Sequence, residues 1–220
     1  MPVFAFLGDL RLALKKVLDE PTVWTVSLIV ALMRDPERTK NAILSAAESL
    51  IAAKGIQALT LEEVAAGASV SKGGLLHHYG NKQALIAGLG QRMIAEHEDE
   101  VESYRKQDPA VPGSFTRAFL RTNLAFADEC TQVCALMTAE SRNYPGMREQ
   151  FQRYGEQCQE KIENDGLDPV VASVIRYAVE GLLWAAMWGM SRPATYNEIV
   201  AYLLNLAGAN PATPKKNSPK

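Results

Sequence analysis

A chain of 220 residues with 47% apolar content is long enough for one or two domains around a real core. Its 23 Lys and Arg against 25 Asp and Glu leave a net charge of −2, which excludes a generally basic nucleic-acid coat protein and restricts any DNA contact to a local patch. Three cysteines, an odd number, point to the reducing cytosol rather than a disulfide scaffold, and the absence of sustained strand alternation makes the chain read as all-α.

Residues 1–33 form an N-terminal extension. Leu7, Leu10, Leu14 and Leu18 sit at helical spacing until Pro21 breaks the pattern. Thr22 to Met33 is a nearly apolar run of twelve residues, too short for a bilayer span of about 20. A signal peptide fits poorly, because the charges follow an apolar start and no convincing cleavage site appears. An amphipathic helix lying on the body or on a membrane surface is one reading of this extension.

Residues 34–86 read as a three-helix head. The first helix runs from Thr39 to Lys54, with Ile43, Ala46, Ala47, Leu50 and Ile51 on one face and Gly55 as its C-cap. Thr60 and Glu63 are spaced as a capping box for the second helix, whose stripe is Leu61, Val64, Ala65 and Ala68. Ser69-Val70-Ser71 makes a turn with Val70 as apolar plug and Ser71 as the next N-cap. The third helix, Lys72 to Tyr79, opens on Gly73-Gly74. Glycines there cost helix stability, roughly 1 kcal/mol each, but let a foreign backbone or phosphate approach the amides. Asn81 then caps a fourth helix with Lys82 in its first turn. Between Arg34 and Arg92 seven basic residues face five acidic ones, so the head is mildly positive on an acidic remainder.

This arrangement is a helix-turn-helix. The run Ser69, Val70, Ser71, Lys72, Gly73, Leu75, His77, Tyr79, Lys82 and Leu85 resembles the DNA-binding domain of TetR-type transcriptional regulators, and the likeness extends back to about Thr39. The resemblance implies Lys72, Gly73, Gly74, Leu76, His77 and His78 at DNA, with Lys82, Thr60 and Lys40 near the phosphates. Family hydroxyls common at the positions of Leu61, Gly74 and Leu76 are missing here, and Ser69 stands where Gly is frequent. The resemblance also places the natural start near Met33, with the preceding residues an upstream artefact.

Lys82 to about Lys106 reads as one long helix. In the family such a helix joins head to body; Gly88 and Gly90 either soften it or allow close packing. Glu96, Glu98, Asp99, Glu100 and Glu102 look like a solvated face. After the 108–113 linker, a body within residues 87–208 is expected to carry helices near Ser114–Glu129, Thr131–Arg142, Gly146–Asn164, Pro169–Met190 and Tyr196–Ala207. The 209–220 tail, rich in Pro, Lys and Asn, reads as disordered.

The last two helices are apolar on most sides, and the resemblance implies that they pair with a second copy. The interface candidates are Leu182, Leu183, Ala186, Met190, Leu203 and Leu204. The resemblance further implies an effector site in the body, for which Met137, Tyr177, Trp184, Trp188 and Phe126 suit a small hydrophobic or aromatic ligand. Cys130 and Cys134 share a helical face without further ligands at metal spacing, and buried thiols are commonly inert. His77 and His78 are adjacent and diverge by about 100° on a helix, so they form no metal site. No catalytic set or nucleotide loop is present, and no cofactor is called for. The reading is a cytoplasmic, homodimeric, ligand-relieved repressor of a palindromic double-stranded DNA operator, with no membrane role. The alternatives are an activator or co-regulator, or a small-molecule-binding protein with a vestigial head.

Overall fold

The computed structural model describes residues 36–108, 112–129 and 132–208. The 1–33 extension, the 209–220 tail and, through Cys130, the cysteine pair fall outside them. Among the described residues there are α-helices, one 3-10 turn and no strand. We label the helices α1 (Pro36–Lys54), α2 (Leu61–Gly67), α3 (Lys72–His78), α4 (Lys82–Gln107), α5 (Ser114–Glu129), α6 (Gln132–Glu140), α7 (Pro145–Glu163), α8 (Pro169–Met187) and α9 (Tyr196–Leu206).

Local chemistry sets several of the starts. Thr60 accepts the Glu63 amide, Ser71 the Gly74 amide at 3.0 Å, and Asn81 the Ala84 amide at 2.8 Å. Asp168 accepts the amides of Val170 and Val171, with Pro169 at the first helical position. The turn between α2 and α3 places Ser69 at φ 56°, a left-handed conformation held by a non-glycine residue. At the other end of the chain, Gly189 at φ 67° stops α8 at Met187, and its amide bonds to the Ala186 carbonyl. Met190 therefore lies beyond the helix rather than on its interface face.

Two cores result. The first joins Ile43, Ala47, Ile51, Val64, Leu75 and Leu85 of the head to Met137, Tyr144 and Met147 of the body. The head is thus seated directly on α6 and the start of α7. The second core, within the body, packs α5, α7 and α8 through Phe119, Leu120, Ile162, Ala172, Ile175 and Val179. Asp108, Arg117 and Arg121 lock the end of α4 to α5, and Arg117 also donates to the Ala207 carbonyl after α9. By length and composition α8 could cross a membrane. Its Arg176–Glu180 pair and its packing on α5 and α7 mark it instead as a body helix.

The glycines of α4 are contact points. A Cβ on Gly88 would lie 2.5 Å from the Tyr79 ring, and one on Gly90 would lie 2.7 Å from Met147 Cγ. Gly88 seats the end of α3, and Gly90 seats the body on the same helix.

Candidate DNA interface and body cavity

α3 has one buried and one open face. Leu75 is fully buried beneath it, whereas Lys72, Gly73, Leu76 and His77 are exposed on the other side. Gly74 and His78 are half-buried at its flanks, and the two imidazoles meet edge to face at 5.5 Å. The open face offers a cation, a bare stretch of backbone, an apolar side chain and an imidazole. That mixture can hold a phosphate, meet a thymine methyl and bond a base edge.

The candidate lysines are all pre-engaged. Lys72 pairs with Glu62 at 2.5 Å and Lys40 with Glu37 at 2.7 Å. Lys82 donates to the Gln57 carbonyl at 2.9 Å, and burial together with Lys54 holds its pKa below the usual lysine value. Thr60 is bound to Glu63, which Lys54 also grips. Exposed pairs of this kind contribute little, so a phosphate can displace the carboxylates cheaply. Lys40 lies within electrostatic reach of Tyr79 at the end of α3. The Gln57 side chain in turn donates to Glu140 at the end of α6, at 2.8 Å. Arg92 of α4 bonds Ser45 and pairs with Glu48 of α1.

The body encloses a cavity of about 330 Å³ between α4, α5, α7 and α8. Phe126, Phe151, Leu183, Trp184 and Met187 give it an apolar lining. Its polar groups are already paired. His97 Nδ1 lies 2.7 Å from the Tyr154 hydroxyl, and Asn123 bonds His97 while donating to the Phe119 carbonyl. Burial lowers the His97 pKa to about 4, so the ring is neutral near pH 7. Burial also raises the Tyr154 and Cys158 pKa values, and these two groups bond each other. Arg176 is bridged to Glu180 at 2.9 Å and to Gln159.

The effector candidates divide. Phe126 and Trp184 line the cavity. Met137 does not: it is fully buried in the head–body core. Tyr177 and Trp188 face outward at 62% and 72% exposure. The interface candidates need a similar correction. Leu203 is buried in the body core, and Leu183 lines the cavity. Leu182, Ala186 and Leu204 are half-buried. The open apolar stripe of α8 is instead Val170, Val174, Tyr177, Gly181, Trp184 and Trp188, at a spacing of three and four, with Tyr202 of α9 also exposed. His97 was absent from the sequence candidates as a cavity residue. The signal existed, since Met93, Ile94, His97 and Val101 share a helical face amid the acidic run.

Residues 43–89 match the family model described as "Bacterial regulatory proteins, tetR family". Residues 113–208 match one described as "Tetracyclin repressor-like, C-terminal domain". Among solved structures, a transcriptional regulator from Pseudomonas aeruginosa PAO1 has a TM-score of 0.65 at 16% identity, covering 79% of this chain and 90% of that one. A protein assigned as a TetR-family regulator from Mesorhizobium loti MAFF303099 has a TM-score of 0.60 at 21% identity, covering 79% and 95%. The multidrug binding protein EbrR, solved with imidazole, has a TM-score of 0.57 at 20% identity, covering 79% and 97%. At these identities the structural likeness is one of fold.

Proposed function

We propose, on the premise that this chain belongs to the TetR family of DNA-binding transcriptional regulators, that it is a ligand-relieved repressor acting on a palindromic operator as a homodimer in the cytoplasm. The observation that carries the reading is the open face of α3, where Lys72, Gly73, Leu76 and His77 stand clear of a head seated on a hollow body. A dimer presents two such faces, and a two-fold axis matches a palindrome with half-sites one or more helical turns apart. The apolar stripe of α8 supplies the surface on which two copies meet. Members of this family are generally regulators rather than enzymes, and they bind small-molecule effectors.

Relief follows from the contacts between cavity and head. Thr138 of α6 borders the cavity, and Glu140 at the end of α6 bonds Gln57, whose carbonyl holds Lys82. A small hydrophobic or aromatic effector that shifts α6 would move the joint that carries the phosphate lysine. A coupling of about 1–3 kcal/mol is enough for such a switch. EbrR is described as multidrug binding, which is consistent with an adaptable apolar cavity. A reporter placed behind the enriched operator tests the sign of regulation. Expression that falls when the chain is present supports repression; expression that rises makes it an activator.

A further inference from the structure

Among the described residues of the head, Leu76 is the one large apolar side chain left exposed, at 38%. It joins neither core, whereas Leu61, Val70 and Tyr79 pack against the first one. Its neighbour Leu75 already fills the buried place beneath α3, so the packing of the head does not use Leu76. Gly73 stands three positions earlier, on the same face of the helix. Its φ is not left-handed, and a Cβ there would meet nothing closer than Ser71 Oγ at 4.0 Å, an ordinary contact. Gly74 differs, since its Cβ would press to 3.2 Å on the same cap hydroxyl. Glycine weakens a helix, and no contact inside this chain requires one at 73. The space it leaves faces outward, beside Leu76.

Two other groups at the start of α3 are committed within the head. Ser71 Oγ accepts the Gly74 amide, and Lys72 pairs with Glu62. The Leu76 side chain neither donates nor accepts a hydrogen bond. Against a polar base edge it would strip water from donors and acceptors and leave them unpaired. The apolar group on the floor of the major groove is the C5 methyl of a pyrimidine, carried by thymine and by 5-methylcytosine. We propose that Gly73 and Leu76 form a reading site for that methyl: DNA closes against the bare backbone at Gly73, and the Leu76 side chain covers a pyrimidine C5 methyl. Leu76 is thereby a specificity-determining residue, an inference that rests on the DNA-binding reading above. The preference is enforced from two sides. Contact with the methyl removes apolar surface from water, and a polar base edge placed there loses its hydration.

The test uses the full chain and duplex enriched from genomic DNA. Each thymine is replaced in turn by deoxyuridine, which lacks only the methyl, and each cytosine in turn by its 5-methyl form. At the position under Leu76 the methyl should change affinity about three- to fivefold. A loss on removing it from a thymine makes thymine the partner; a gain on adding it to a cytosine makes 5-methylcytosine the partner. Leu76→Ala should abolish either effect, and Leu76→Met should keep it. Gly73→Ala should melt no lower than the wild type and yet bind the enriched duplex roughly tenfold more weakly, because its new methyl occupies the line of approach. Specific binding with no methyl-sensitive position, or the same methyl effect in Leu76→Ala, would overturn the reading site while leaving DNA recognition intact. A Gly73→Ala protein with wild-type affinity would overturn the close approach. Binding no tighter to enriched than to random duplex would overturn both the site and the DNA-binding reading beneath it.

Discussion

His97 is a neutral imidazole in a wall built to keep it neutral, and that has a measurable cost in acid. Its folded pKa of about 4 lies below its ordinary value of 6.5. As pH falls from 6.5 the unfolded chain takes up this proton before the folded one does. The contribution of His97 to stability is therefore complete above pH 6.5 and is lost between 6.5 and 4, amounting to roughly 3 kcal/mol. Against a typical total of about 5–15 kcal/mol this is large. Urea unfolding at pH 7.5 and 4.5 should show a smaller loss in His97→Gln than in the wild type; an identical loss would mean that the ring is not held neutral. Lys82 makes a second prediction at this scale. Its ammonium has donors to spare beyond the Gln57 carbonyl. Lys82→Ala should weaken binding to all DNA sequences and lower the slope of log K against log salt by about one. An unchanged slope would remove Lys82 from the phosphate contacts. Substitutions at His77, by contrast, should change sequence preference.

At the scale of the helices, α4 joins head and body by close packing at its two glycines. Gly88 faces a rigid ring at the end of α3, and Gly90 faces a flexible thioether. Gly88→Ala gains about 1 kcal/mol in helix propensity but must displace Tyr79, an overpacking that costs about 1–3 kcal/mol. Net destabilisation and weaker operator binding are expected for Gly88→Ala. Gly90→Ala should be milder because Met147 can re-pack. Thermal melts and shift assays of the two variants check this, and a Gly88→Ala protein with wild-type DNA affinity would contradict it. These contacts mark the boundary of what sequence could say. The caps at Thr60, Ser71 and Asn81 were legible because each is decided within four residues. Gly88 was not, because its partner is nine positions away. The faces of α8 were not legible either: a helix apolar all round gives no sign of which stripe turns outward. Tyr177 and Trp188 were thus expected at a ligand, and Leu203 was expected outside. The short polar pairs of the cavity became visible only when α4, α5 and α7 were brought together.

For the whole molecule, the acidic balance of the chain and the pre-engaged lysines of its head point to recognition by geometry. Glu62 beside Lys72 and Glu37 beside Lys40 reduce the positive field of the head, which weakens its charge-driven attraction to random DNA. Specific protein–DNA binding usually exceeds non-specific binding by about 10³–10⁷ at physiological salt. A head with few free cations should fall within that range by keeping its non-specific affinity low. The measurement that tests the account most directly is a titration of purified protein on duplex enriched from genomic DNA, beside random duplex, at several salt concentrations. Two protomers on a palindromic site, at least about a thousandfold tighter than on random sequence at physiological salt, is the result the account predicts. Weak binding that is blind to sequence and erased by salt would contradict it.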